Sequence, residues 1–169
     1  MVPANRVAFD DVQSVFGDRG PAARCQCQRY RLWPGESFGP TCGLVAWLDE
    51  EPAGWCAAGP RSELNGLKRV FTVPWKGRAE DPDDPGVWAV TCFYIRKGFR
   101  RRGIASALLR AAVGCARSQG ARALEGYPIT RTDVISEELH VGTVPMFAEA
   151  GFRQVSAPTP RRLVMRIDF

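Results

Sequence analysis

Hydrophobic positions along this chain follow two different periods. Between residues 7 and 16, Val7, Val12, Val15 and Phe16 recur at helical spacing and Gly17 follows, which predicts a short amphipathic helix with a glycine stop. Ala23 to Leu32 alternates and predicts a strand. Gly43 to Leu48 and Ala53 to Ala58 are apolar runs separated by Asp49-Glu50-Glu51-Pro52, a hairpin signal, and Gly59-Pro60 closes the second strand. Arg61 to Gly86 shows no period and reads as irregular. Its end, Glu80 to Gly86, is acidic and proline-rich and reads as a solvated loop.

The second half is more regular. Val87 to Ile95 (VWAVTCFYI) is β-branched, aromatic and apolar on both faces, which suits a buried central strand. After a basic turn, Ile104, Leu108, Ala111, Ala112 and Cys115 share one face of a helix expected over residues 102–119, with Gly120 as its stop. Ala121 to Ile129 predicts a further strand and Thr143 to Ala150 a short helix ended by Gly151. Phe152 to Ser156 and Leu163 to Phe169 predict two closing strands.

Length and composition narrow the class. The 169 residues, 45% of them apolar, suit about one domain, so 1–169 is expected to form a single domain without linker or repeat. A charged content of 24% argues against wholesale disorder. No apolar stretch approaches the roughly 18 residues of a membrane helix. The N-terminus carries Asp10, Asp11 and Asp18 early, with no basic patch leading an apolar core. Neither a membrane partner nor a secretory signal is expected, and the expected location is cytoplasmic.

The net charge of +5 is concentrated at Arg96, Lys97, Arg100, Arg101 and Arg102. Such a patch calls for an anionic partner, a phosphate ligand or nucleic acid. Against nucleic acid, Phe93, Tyr94 and Phe99 fit a strand and its turn better than an exposed stacking platform. Cys25, Cys27, Cys42, Cys56, Cys92 and Cys115 show no disulfide framework. Cys25 and Cys27 read as same-face strand residues, and with His140 the sole histidine no metal site is expected.

The basic turn, Arg100-Arg101-Arg102-Gly103-Ile104-Ala105-Ser106, opens a helix. Unpaired amides and the positive end of the helix dipole make such a turn an anion cradle. Gly98 and Gly103 have P-loop spacing, but Ile104-Ala105 stands where Lys-Ser/Thr is required, and no GxGxxG triplet exists. Arg100 to Ala105 instead resembles the Arg/Gln-x-x-Gly-x-Gly/Ala turn of the GNAT superfamily of N-acetyltransferases. Phe93-Tyr94-Ile95 is similar to the end of that family's fourth strand, and Met146 to Phe152 to its late helix and Gly-Phe turn.

The resemblance implies an α/β (α+β) fold. Its sheet would be mixed and mostly antiparallel, splayed between the fourth and fifth strands and flanked by helices. It also implies acetyl-CoA as co-substrate. The pantetheine arm would pair with the backbone of Phe93 and Ile95, and Tyr94 between them is also expected among the cofactor-binding residues. The diphosphate would sit on the amides from Arg101 to Ser106, including Gly103, Ile104 and Ala105, near the side chains of Arg100, Arg101 and Arg102. Phe147 would be a core or pantetheine contact.

Two positions depart from the family. Phe147 stands where many members carry an acidic tyrosine, and Ala89 where histone-type members carry a glutamate base. Glu125 and His140 are the remaining base candidates, each also readable as structural. Cys92 reads as a buried core thiol, not a nucleophile. The expected activity is acyl transfer, acetyl in the first instance, to an amine acceptor in a ternary complex. A CoA-binding protein without catalysis is the alternative. The acceptor is left open, its specificity expected from Arg61 to Gly86 and Thr130 to Gly142. The oligomeric state, homodimer included, is also open.

Overall fold

In the computed structural model, which describes residues 1–25, 43–69 and 72–169, the apolar runs form seven strands and six helices among those residues. The strands are β1 (Val2–Pro3), β2 (Leu44–Leu48), β3 (Glu51–Pro60), β4 (Val87–Ile95), β5 (Ala123–Gly126), β6 (Arg153–Thr159) and β7 (Arg162–Asp168). The helices are α1 (Phe9–Phe16), α2 (Gly20–Cys25), α3 (Asn65–Arg69), α4 (Thr72–Trp75), α5 (Ile104–Ser118) and α6 (Val144–Glu149). The strands make one sheet in the order β1-β2-β3-β4-β5-β7-β6. Every pairing is antiparallel except β4 with β5.

The hairpin turns on Asp49 and Glu50, at φ 52° and 63°. Two successive left-handed residues give the turn whose twist matches its strands. β4 coincides with the expected central strand, and α5 starts at Ile104 behind an N-cap at Gly103, two residues later than expected. One face of the sheet is covered by α5. Leu108, Leu109 and Ala112 pack there on Val90, Phe93, Leu124 and Met165. The other face carries α1, with Val12, Val15 and Phe16 against Val45, Trp55, Ala57 and Cys92. Further along that second face, Leu64, Leu67 and Trp75 pack on Ala89, Tyr127 and Val164.

Three expectations are corrected. Ala23 to Cys25 belongs to α2, not to a strand, because Pro21 and two alanines suit a helix start; residues 26–32 of that expected strand lie outside the described residues, as do Cys27 and Cys42. The region from Arg61 is not irregular: it holds a 3-10 helix (Arg61–Glu63), α3 and α4. Each has five residues or fewer, too short to show a period. The strand expected to reach Ile129 ends at Gly126, where its pairing with β4 stops. Among the described residues no helix is long and apolar enough to cross a membrane.

Candidate functional site

The two central strands run together only briefly. β4 and β5 pair from Val87 with Ala123 to Val90 with Gly126, and beyond that point they part. Ile129 continues the β5 line, bridging Thr143 on one side and Arg162 on the other. At the parting, β4 carries a bulge. Ala57 pairs with Cys92 and Ala58 with Val90, which leaves Thr91 as an extra residue. A bulge bends its strand and sharpens its twist, turning β4 away from its neighbour.

Aromatic packing fixes the floor of this opening. Phe147 from α6 is fully buried, edge-on to Phe152 at 5.0 Å and to Phe93 at 6.3 Å. Its ring lies so close to the β5 backbone that a Cβ on Gly126 would stand 2.0 Å from Cε1. Glycine at 126 is therefore what admits the ring. Phe147 is a core residue here.

The basic turn lies beyond the end of β4. Arg101 and Gly103 adopt left-handed conformations, at φ 62° and 74°, and swing the chain into α5. Gly103, the N-cap, brings no side chain to the helix start, and no acidic residue occupies the first turn. The first helical bond is Ala107 N–H to the Gly103 carbonyl at 3.0 Å. A Cβ on Gly103 would meet nothing within 4 Å, so the space beside the cap itself is open. Arg100, Arg101 and Arg102 are exposed. Arg100 Nε donates to the Ile95 carbonyl at 3.1 Å, tying the turn to β4, and Arg102 lies 5.7 Å over the Phe99 ring.

The expected cofactor residues divide between the two faces. Phe93, Ile95, Ile104 and Phe147 gather in the α5-side core. Tyr94 packs on the opposite face, 5.4 Å from the Phe16 ring.

Glu125 lies on the α1 face, beside Ala89 on β4 and Arg166 on β7. Its side chain is fully buried in an ion cluster. Oε2 accepts from Arg61 Nη1 at 3.1 Å, Arg78 Nη1 at 3.2 Å and the Tyr127 hydroxyl at 3.4 Å. Oε1 accepts from Arg78 Nη2, and from Arg166 Nη1 at 3.5 Å. A carboxylate has about four lone-pair sites, so these donors leave none open. Burial pushes the Tyr127 hydroxyl well above its usual value, and the Glu125 charge adds to the rise, so Tyr127 keeps its proton. Burial opposes the charge on Arg78, but hydrogen bonds and charge from Glu125 and Glu80 outweigh it and raise its affinity for the proton.

His140 is on the 3-10 helix Ser136–Val141, its Nδ1 2.7 Å from the Glu137 carbonyl oxygen. Cys92 is buried among Trp55, Ala57 and Phe16. Sequence reading did not single out Arg61, Arg78, Arg166, Glu80 or Trp75. The signal was there in part: Glu125 is a charge inside the short apolar strand β5, and Arg166 an opposite charge beside the apolar run Leu163 to Met165 of β7.

The model of the acetyltransferase (GNAT) family matches residues 9–140. Among solved structures, Ard1 from Thermoplasma volcanium has a TM-score of 0.56 at 14% identity, covering 96% of this chain and 93% of that one. The GNAT domain of S. lividans PAT has a TM-score of 0.54 at 17% identity, covering 99% and 89%. Ribosomal-protein-alanine N-acetyltransferase from Brucella melitensis has a TM-score of 0.50 at 14% identity, covering 76% and 68%. At these identities the likeness is one of fold. No curated protein matches the chain.

Proposed function

Because the chain belongs to the GNAT acetyltransferase family, whose model spans most of it, we propose that it moves acetyl from acetyl-CoA to a primary amine by direct attack in a ternary complex. The observation that carries this reading is the parting of β4 from β5 beside a glycine-capped helix start flanked by arginines. The pantetheine arm would run along β4 past Val90 and pair with the backbone of Phe93 and Ile95. The diphosphate would rest on the amides from Arg101 to Ser106, with Arg100, Arg101 and Arg102 supplying attraction.

The amine nitrogen attacks the thioester carbonyl carbon, the C–S bond breaks, and CoA leaves as its thiolate. Backbone amides of β4 near the bulge would polarise the carbonyl. Phe147 has no proton to give, so the thiolate takes one from water. The oxygens of Glu125 are already engaged, so the acceptor's ammonium gives one proton to water before the attack, and the nitrogen gives a second to water as the C–S bond breaks. Glu125 then serves as an anchor for three arginines. Phe147 and Ala89, which stand where the family's usual acid and base would be, favour a second reading, an acyl-CoA-binding protein without turnover.

Acetyl-CoA at about 100 times its dissociation constant should stabilise the fold by roughly 2.7 kcal/mol, a rise in Tm of about 5–10 °C. Ala105→Glu should abolish that rise by placing a carboxylate where the diphosphate would bind. A rise that persists in this variant removes the turn from the site. Release of free thiol in an amine screen separates transfer from binding alone.

A further inference from the structure

The ion cluster around Glu125 is built like a receptor for a second carboxylate. Arg61, Arg78 and Arg166 converge on Glu125 from three different elements. They also share Glu80, whose carboxylate lies 3.4 Å from Arg61, 2.9 Å from Arg78 and 2.9 Å from Arg166. The two carboxylates differ in kind. Glu125 is fully buried on a strand, whereas the Glu80 side chain is 42% exposed and belongs to the loop after α4. Arg166 also pairs with Asp168, and Asp168 with Arg153. Four guanidinium groups thus face three carboxylates, a net excess of one positive charge.

Two donors beside this cluster have no partner among the described residues. Arg61 Nε and Trp75 Nε1 are both buried and both lack a hydrogen bond. They are neighbours: the Arg61 guanidinium carbon lies 4.7 Å from the centre of the Trp75 ring. Buried donors are seldom left unpaired, and each one calls for an explanation. A groove of about 750 Å³ runs alongside, walled by Trp75, Arg78 and Glu80 and edged by Lys68, Lys76 and Asp83. Glu125, on which the cluster converges, lies one strand residue, roughly 3.3 Å of rise, before β4 and β5 part at Val90 and Gly126.

We infer that the acceptor is an amino carboxylate whose acid group displaces Glu80 from the three arginines while its amine, only a few bonds away, reaches the parting of the strands. A planar carboxylate matches the guanidinium fork with two parallel hydrogen bonds, which an alcohol or a second amine cannot do. Glu80, tethered to its loop, leaves Arg61 Nε and Trp75 Nε1 without an acceptor; a free carboxylate is not held to that position. Glu80 holds the place in the free protein. The position of the amine rests on the acetyl-transfer reading; the position of the carboxylate rests on the cluster alone.

The test uses the full chain loaded with CoA. Binding of the N-acetyl forms of the twenty common amino acids, and of their carboxamides, is measured by calorimetry. Thiol release is measured in parallel with acetyl-CoA and the free amino acids, their amides and a polyamine. At least one acid should bind roughly 10–100-fold more tightly than its amide, the range expected for a charge-assisted hydrogen-bond pair. Arg78→Gln should remove that preference and Arg78→Lys should keep part of it. Glu80→Ala should strengthen it by deleting the internal competitor. Equal binding of acid and amide throughout, or a preference unchanged in Arg78→Gln, overturns the inference. Carboxylate-dependent binding without thiol release keeps the carboxylate site and defeats the transfer reading. Thiol release that ignores the carboxylate does the reverse.

Discussion

Replacing Glu125 by glutamine keeps the shape of the side chain and removes its charge, which makes it a sharp probe of the ion cluster. In the native chain five donor contacts reach the two oxygens, from Arg61, Arg78 twice, Arg166 and Tyr127. Glutamine retains one oxygen and turns an NH2 group, itself a donor, toward guanidinium and hydroxyl groups that cannot accept. Arg61, whose side chain is fully buried, would then have only the half-exposed Glu80 as its counter-charge. Breaking a buried ion pair from one side costs about 3–5 kcal/mol, against a total stability of roughly 5–15 kcal/mol. For a chain of this length that is a fall in Tm of about 6–20 °C. Thermal denaturation followed by circular dichroism, with and without acetyl-CoA, reads it directly. The rise in Tm on adding acetyl-CoA should survive, because the helix start that would bind it is elsewhere. A Tm within about 2 °C of the parent would refute the anchoring role. A loss in kcat of roughly 10²–10⁴-fold at unchanged Tm would instead make Glu125 the base.

Gly126→Ala should destabilise by about 1–3 kcal/mol, since the new Cβ falls 2.0 Å from Phe147 Cε1; combining it with Phe147→Leu should recover part of the loss, and a neutral Gly126→Ala would contradict the packing. Acid should weaken the fold in a defined window. Burial alone would raise Glu80, but its hydrogen bond and charge contacts with Arg78, joined by Arg166 and Arg61, hold it below its ordinary 4.5. Its contribution is therefore complete above that value and lost as pH falls through the lower folded value. Tm should stay level down to about pH 5 and then drop, less steeply in Glu80→Gln; equal slopes would exclude Glu80 from the effect. Cys92→Ala should retain most turnover, and an acyl-enzyme trapped only in the parent would overturn direct transfer.

What could be read from the sequence was local. β4 and α5 span nine and fifteen residues, long enough for a period to show, and their turn is governed by Gly103 and its neighbours. The glycine-capped basic turn at the start of α5 was legible for that reason. The ion cluster was not, because Arg61, Arg78 and Arg166 approach Glu125 across 64, 47 and 41 residues of chain. The loop at Glu80 looked merely solvated because two of its three arginine partners, Arg61 and Arg166, lie 19 and 86 residues away. α3 and α4 were missed for brevity. Phe147 was legible as a departure from the family, but its seat against Gly126 depends on a packing that only the fold reveals.

Thr91 gives β4 a length its register does not need. Every other residue from Trp88 to Ile95 has a partner on β3, and the faces on either side of the bulge already alternate, Val90 with α5, Cys92 with α1, Phe93 with α5. Deleting Thr91 would leave each of those side chains facing the way it does now. Few single-residue deletions in a central strand have that property, since a one-residue slip normally inverts everything beyond it. The shortened strand would lose only its bend, and with it the reason to leave β5 after Val90. Folding and the opening of the sheet are thus carried by different residues of the same strand, and a chain one residue shorter could keep the first without the second.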